Sequence, residues 1–222
     1  MINNELQKRI LSSIVIIPIA VFFIFQGTLF FGFFLGIFFL ASSYEWIKMN
    51  KLYALKIIGV CYLFLAFVFA YLLREKFTIG LFILVLIICI FTDLGGYIFG
   101  KVFKGPKLIK ISPKKTYAGS LGGFILSLFA ALIYSKYTLT GAATYGNLSA
   151  WTGIALNKIY LLFILVISLI SQIGDLIISY FKRLAKVKDT GNLLPGHGGL
   201  LDRLDGIVFA IPFSYLLLLY LR

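Results

Sequence analysis

The stretch Ser179–Asp205, SYFKRLAKVKDTGNLLPGHGGLLDRLD, is a short polar segment between two apolar runs. It holds three of the eight acidic residues of the chain, five of the 21 basic residues and the only histidine. The preceding run, IYLLFILVISLISQIGDLIIS (159–179), carries one charge, Asp175, and the following run, GIVFAIPFSYLLLLYL (206–221), carries none. Runs of this length and composition are typical of membrane-spanning helices, so the polar segment is expected at a membrane surface.

The composition of the whole chain supports this interpretation. Hydrophobic residues make up 61% of the 222 residues and the mean hydropathy is +1.01, whereas about half of an ordinary soluble domain is apolar. We therefore predict an all-α, polytopic integral membrane protein that forms a single membrane domain, 1–222. Within it, 1–76 supplies N-terminal helices and 77–222 is the catalytic part, with motif loops at 101–116 and 182–205.

Seven apolar segments are each close to the ~20 residues that cross a bilayer, and we expect about seven transmembrane helices. The segments are 10–26, 29–47, 57–73, 78–100, 117–135, 159–181 and 204–221. With the N-terminus in the cytoplasm, sixteen Lys and Arg residues fall on the cytoplasmic side and five on the other side. This bias favours that orientation and places both motif loops in the cytoplasm, where nucleotides are. The expected location is the cell inner (plasma) membrane.

The net charge of +13 fits cytoplasmic lysines that set topology and contact acidic membrane lipids, and it also fits a site for a polyanionic substrate. The positive charge is dispersed among loops without a recognition motif, so no nucleic-acid partner is expected. Cys61 and Cys89 each lie within an apolar segment, and no disulfide or zinc site is predicted from them. Composition does not distinguish a monomer from a homodimer.

Asp175 is the charged member of a polar stripe on an otherwise apolar helix. Ser171, Asp175, Ser179 and Lys182 follow one another at spacings of four, four and three residues, which places them on one helix face. A structural ion pair or a helix-packing contact would explain the stripe. Ionisable residues within a membrane are nevertheless functional candidates by default.

A second acidic pair, Asp202 and Asp205, opens the last apolar segment. The spacing of three puts both carboxylates on nearly one face if a helix begins by Leu201. They could simply cap that helix. Together with Asp175, they could instead converge on a cytoplasmic pocket, as carboxylates do when they hold Mg²⁺ beside phosphates.

The glycine-rich turn Gly196-His197-Gly198-Gly199 would let backbone N–H groups approach a phosphate. His197 could act as a general acid or base, donate a hydrogen bond to phosphate, or be an ordinary loop residue. The nearby basic residues either set topology or contact phosphate; they are Lys182, Arg183, Lys186 and Lys188.

A second cluster repeats these features near the fourth apolar segment. Asp93 lies eight residues before Lys101, within the hydrocarbon, and Gly95 and Gly96 allow close helix contact. The basic turn Ser112-Pro113-Lys114-Lys115-Thr116 then precedes a small-residue helix start, which attracts anions. A cytoplasmic anchor with a small-residue packing face is the alternative.

At these residues the chain resembles phosphatidate cytidylyltransferases, also called CDP-diacylglycerol synthases. The C-terminal pattern of that family is S-x-x-K-R, four residues, K-D, then H-G-G, two residues and D-R-x-D. Here it is formed, with every spacing kept, by Ser179, Lys182-Arg183, Lys188-Asp189, His197-Gly198-Gly199, Asp202-Arg203 and Asp205. Thr92-Asp93, Tyr97 and 112–116 resemble the family's first motif, although Ala118 stands where the family commonly has Glu.

The resemblance implies an enzyme that makes CDP-diacylglycerol and pyrophosphate from CTP and phosphatidate. It implies Mg²⁺, alone or with a second cation, on Asp175 and Asp202. The expected catalytic residues are Asp175, Asp202, Lys182, Arg183, His197 and Asp205. The expected substrate-binding residues are Ser179, Lys188, Asp189, Gly198, Gly199, Arg203, Lys114, Lys115, Thr116 and Asp93.

Two other functions fit parts of the pattern. A CTP-dependent lipid kinase, as in dolichol or phytol kinases, would transfer the γ-phosphoryl group instead. A cation-coupled transporter could also carry Asp93 and Asp175, but it would place acids near the midplane between matched halves, and no matched halves are visible.

Overall fold

A computed structural model describes residues 14–16, 18–109, 112, 115–141, 158–193, 196 and 198–221. Most of these residues are helical. Among them, the one β-type pairing is an isolated antiparallel bridge between Lys107 and Thr116. The predicted all-α class is therefore confirmed for the described residues.

Eight helices follow one another along the described chain. They are α1 (Ile14–Phe25), α2 (Thr28–Met49), α3 (Tyr53–Lys76), α4 (Ile79–Phe103), α5 (Tyr117–Gly141), α6 (Lys158–Leu184), α7 (Leu201–Leu204) and α8 (Ile207–Tyr220). Five of them, α2 to α6, are long and apolar enough to cross a membrane. Helices α1 and α8 are apolar but shorter.

The last apolar segment differs from its predicted form. Sequence analysis treats 204–221 as one helix, whereas the structure divides it into α7 and α8. The helix does begin at Leu201, as expected for a pair of acids at its mouth. Asp205 and Gly206 form the junction, and Gly206 contacts α6 so closely that a Cβ atom on it would lie 2.4 Å from Ser171 Oγ.

The helices pack as a bundle whose interior is apolar. The most extensive contact joins α4 to α5, and α6 packs against α4, α5 and α8. Helices α2 and α3 pack on each other, and α3 also contacts α8. Val85, Ile88 and Ile167 are fully buried where these helices meet. Lipid is as apolar as these side chains, so close packing rather than escape from solvent holds such helices together.

The two ends of the bundle differ in chemistry. At one end, the buried Arg74 of α3 donates hydrogen bonds to the carbonyls of Ile24 and Gln26, and its guanidinium lies 4.8 Å from the Phe31 ring centroid. These bonds satisfy carbonyls at the end of α1 that no helical N–H reaches. The described residues of the polar segment and of 104–116 lie at the opposite end, because successive helices alternate in direction.

Candidate active site

Helices α4 and α5 approach so closely that their backbones touch. A Cβ atom at Gly95 would lie 2.3 Å from the carbonyl oxygen of Gly122, and one at Gly119 would lie 2.7 Å from that of Gly96. Only glycine permits this distance. The contact holds Asp93, one turn from Gly96 on α4, opposite the start of α5.

The turn between α4 and α5 carries the basic residues of this half of the site. Lys104 and Gly105 adopt positive φ angles of 52° and 74°, which reverses the chain after α4. Leu108 N then donates to Lys115 O at 2.8 Å. Thr116 Oγ1 accepts from Gly119 N at 3.1 Å, as an N-cap of α5 does. Lys115 and Thr116 are thereby fixed at the start of α5.

Asp175 of α6 faces this turn. Its carboxylate forms an ion pair with the Lys115 ammonium, and Ser179 Oγ donates to Asp175 Oδ1 at 3.3 Å. A pocket of about 190 Å³ opens between α4, α5 and α6. Among its lining residues are Asp93, Lys115, Thr116, Gln172 and Asp175.

Asp205 joins this group from the junction of α7 and α8. Gly174 brings the junction against α6, since a Cβ atom there would lie 2.9 Å from Asp205 O. The Asp205 side chain is buried, and its carboxylate lies close enough to Asp175 and Asp93 to interact electrostatically with both. Carboxylates this close repel each other unless a proton or a cation lies between them.

Asp202 lies beside this group and is held from several directions. Its Oδ1 atom is 2.8 Å from Lys182 Nζ, and its Oδ2 atom accepts from Thr190 N at 2.8 Å and from Gly199 N at 3.0 Å. Lys182 also acts electrostatically on Asp205. The described site thus forms one chain of charges, which runs from Asp93 and Lys115 through Asp175 and Asp205 to Lys182 and Asp202.

The end of α6 turns the polar segment back toward the site. Lys186 adopts a positive φ angle of 59°, Val187 N donates to Lys182 O, and Lys186 N donates to Arg183 O. These are the bonds of a Schellman C-cap. Gly198 adopts a positive φ angle of 83° beside Asp189 and Asp202, a conformation that glycine takes readily and other residues rarely adopt.

The other predicted site residues are placed as follows. Arg183, Lys188, Asp189 and Arg203 are exposed at this end of the bundle, and Arg183 donates to Val187 O at 3.4 Å. The N–H of Gly199 is used by Asp202. His197 and Lys114 lie outside the described residues, as does the loop 142–157.

Sequence analysis did not predict Glu45, a buried acid of α2 that hydrogen-bonds to Thr190, Leu200 and Leu201. A signal was present, because Glu45 is an acid inside the apolar segment 29–47. The rule that singled out Asp175 applies to it equally. Its partners, however, are 145 to 156 residues away in sequence, and no spacing pattern connects them.

The donor set bears on the predicted metal. Within the described part of the chain, no three acidic, histidine or cysteine side chains are grouped as a ready-made metal cage. Mg²⁺ in proteins commonly takes only one or two carboxylates and completes its shell with phosphate oxygens and water. The neighbouring Asp175 and Asp205 supply two carboxylates, and with Asp93 and Asp202 the acids of the site outnumber its two lysines. The residues present therefore fit a divalent cation that arrives with a phosphate.

Comparison with known proteins gives consistent matches. The model of the "Cytidylyltransferase family" matches residues 52–221. A phosphatidate cytidylyltransferase of Staphylococcus saprophyticus is 33% identical over 186 residues, which cover 82% of this chain and 66% of that protein. The protein of the same name from Staphylococcus aureus (strain COL) is 35% identical with the same coverage. That of Rickettsia typhi is 41% identical over 143 residues, or 63% of this chain and 59% of its own. The matched region thus spans less than two thirds of each relative.

Proposed function

The chain belongs to the cytidylyltransferase family, and we propose that it transfers the cytidylyl group of CTP to phosphatidate, giving CDP-diacylglycerol and pyrophosphate. The observation that carries this proposal is the continuous group of acids and lysines at one end of an apolar bundle. A lipid phosphate and a nucleotide are both polyanions, and they can meet only where positive charge offsets their repulsion. Relatives named phosphatidate cytidylyltransferase support the same substrates.

In this proposal, a phosphate oxygen of phosphatidate attacks the α-phosphorus of CTP. A new P–O bond forms there, and the bond from the α-phosphorus to the bridging oxygen of the β-phosphate breaks, so pyrophosphate leaves. The attacking oxygen is already ionised and needs no strong base. The protein supplies positioning and charge, with Lys115 and Lys182 as the cationic side chains nearest the acids.

We assign Mg²⁺ to the acids around Asp175. Asp175 and Asp202 are the proposed ligands, and Asp205 is a third candidate because its carboxylate interacts electrostatically with Asp175. A bound divalent cation would neutralise phosphate charge and stabilise the charge that develops on the leaving group. Lys115 and Lys182 would then exchange their carboxylate partners for substrate phosphates. The proposed site takes one cation or two.

We also propose seven transmembrane helices with the N-terminus in the cytoplasm of the cell that makes the protein. The five long helices and the shorter apolar α1 and α8 support this number. The excess of Lys and Arg at the end that holds the polar segment supports the orientation. The proposed site then faces the cytoplasm from the plasma membrane, where CTP is present.

Purified protein tests the proposal directly. In detergent with phosphatidate, CTP and Mg²⁺, we expect CDP-diacylglycerol and pyrophosphate in equal amounts, with neither formed when phosphatidate or CTP is omitted. Transfer of a single phosphoryl group to a lipid, with CDP as the other product, would instead identify a CTP-dependent lipid kinase. Absence of both products from folded protein would refute the proposal.

A further inference from the structure

Glu45 is the most deeply buried acid of the described chain, with 1% of its surface exposed. It lies near the end of α2, far in sequence from the polar segment. Its Oε1 atom accepts from Leu200 N at 2.9 Å, and its Oε2 atom accepts from Leu201 N at 2.9 Å and Thr190 Oγ1 at 3.0 Å. A buried carboxylate is tolerated only when such bonds replace its water, and these three donors all belong to the polar segment.

Two glycines make room for this carboxylate. A Cβ atom at Gly191 would lie 2.6 Å from Glu45 Oε1. One at Gly199 would lie 2.6 Å from Glu45 Oε2 and 2.1 Å from Thr190 Oγ1. The polar segment therefore closes around Glu45 with no space left for any side chain. This fit is independent of the hydrogen bonds and indicates the same partner.

The groups that bind Glu45 alternate with those that bind Asp202. The hydroxyl of Thr190 goes to Glu45 while its N–H goes to Asp202. The N–H of Gly199 goes to Asp202, and the next two N–H groups go to Glu45. Neither carboxylate can move without disturbing the backbone that holds the other.

We infer that Glu45 is a positioning residue for the transfer reaction, acting through Thr190 and the backbone of 199–201 on Asp202. By holding that backbone against α2, it keeps Asp202 Oδ2 occupied and directs Asp202 Oδ1 toward Lys182 and the acid group. The N-terminal helices thus contribute to the site, although they carry none of the family motif. The catalytic consequence of this inference rests on the proposed function. The contact between Glu45 and the polar segment does not.

Glu45→Gln tests the inference with little change of shape. An amide retains one acceptor oxygen and turns an NH₂ group toward N–H or O–H donors, so at least one of the three bonds is lost. Because hydrogen bonds to charged acceptors are strong, we expect kcat per folded enzyme to fall at least tenfold. Glu75→Gln is the matched control, because Glu75 lies at the opposite end of the bundle beside Arg74, and its kcat should stay within twofold of wild type.

Thr190→Val gives a second, milder test. It removes one hydrogen bond to Glu45 and keeps the hydrogen bond from Thr190 N–H to Asp202. We therefore expect kcat to fall less than it does in Glu45→Gln. In the Glu45→Gln background, Thr190→Val should lower kcat by a smaller factor than it does in the wild-type protein, because both changes weaken the same contact between Glu45 and the polar segment. A purely structural role would lower the yield and melting temperature of both variants without changing kcat per folded enzyme, and that result would overturn the inference.

Hydrogen exchange separates failure of this inference from failure of the proposed function. In wild-type protein the amides of Leu200 and Leu201 should be protected, and in Glu45→Gln they should exchange at least tenfold faster, while amides in the middle of α4 stay unchanged. Equal exchange rates in both proteins would show that Glu45 does not hold these amides, and this would overturn the inference. If the wild-type protein shows protected amides and Glu45→Gln shows faster exchange, but neither makes CDP-lipid, the proposed function fails and the contact between Glu45 and the polar segment is still supported.

Discussion

The ammonium group of Lys182 lies 2.8 Å from Asp202 Oδ1, and only 12% and 10% of the two side chains are exposed. Both residues sit where the end of α6 meets the start of α7. A charge at this depth is costly by itself and acceptable as a hydrogen-bonded pair. The pair therefore links two stretches of the family motif that are 20 residues apart.

Removing one member of this pair should destabilise the protein more than removing both. Lys182→Met leaves the Asp202 carboxylate buried without its cation, and breaking such pairs costs about 3–5 kcal/mol. The double variant Lys182→Met, Asp202→Asn should regain part of that loss. Thermal unfolding in detergent measures both, with Lys51→Met as the control because Lys51 is exposed at the same end. A double variant less stable than Lys182→Met would contradict this account of the pair.

Asp175 is the residue on which the site converges, since it contacts Lys115 and Ser179 and interacts electrostatically with Asp205. Asp175→Asn keeps the shape of the side chain but removes the charge proposed to bind a cation. We expect turnover to fall by at least about a hundredfold, equivalent to roughly 2.7 kcal/mol of transition-state stabilisation, while the protein elutes and melts as a folded species. Steady-state kinetics with CTP and phosphatidate make the measurement. Near-normal turnover would refute the assignment.

The close contact of α4 and α5 can be tested with two alanines. Gly95→Ala would put a methyl group 2.3 Å from the carbonyl oxygen of Gly122, and backbone cannot yield as a side chain does. The two helices carry Asp93 and Lys115, so both stability and activity should fall. Gly36→Ala is the control, because nothing lies within 4 Å of the added atom. A melting temperature for Gly95→Ala equal to that of Gly36→Ala would show that the helices are not in contact.

The proposed orientation predicts which ends of the helices a membrane-impermeant thiol reagent can reach. In a background with Cys61 and Cys89 replaced by alanine, Lys76→Cys should react in intact cells. Lys51→Cys should react only after the membrane is permeabilised. Both residues are exposed, at opposite ends of α3. The reverse pattern would invert the topology and place the site outside the cytoplasm.

Local patterns predicted the elements of the fold and most of the acids of the site. Apolar length predicted the five helices that are long and apolar enough to cross a membrane, and the spacing of Asp175 and Ser179 gave a contact that the structure contains. Lys182 shares their stripe, yet its side chain turns to Asp202. The partner of Lys182 depends on where α7 packs, and the spacing of residues along one helix does not predict that position.

What sequence analysis missed depends on contacts between distant parts of the chain. In the sequence, Glu45 is one acid at the end of an apolar segment, and Arg74 is one of the five basic residues expected on the side away from the cytoplasm. In the structure Glu45 binds donors more than 140 residues away, and the buried Arg74 binds carbonyls of the α1–α2 hairpin. A side chain's partners across a bundle follow from helix packing, and the sequence of one helix does not contain that information.

The fate of the phosphorus atoms of CTP tests the central claim most directly. Folded protein is incubated with phosphatidate and Mg²⁺, and with CTP labelled at either the α- or the γ-phosphorus, with parallel reactions in EDTA. The account predicts that the α label enters the lipid and the γ label leaves as pyrophosphate, and that EDTA stops both. Recovery of the γ label in the lipid, with the α label remaining in CDP, would contradict it.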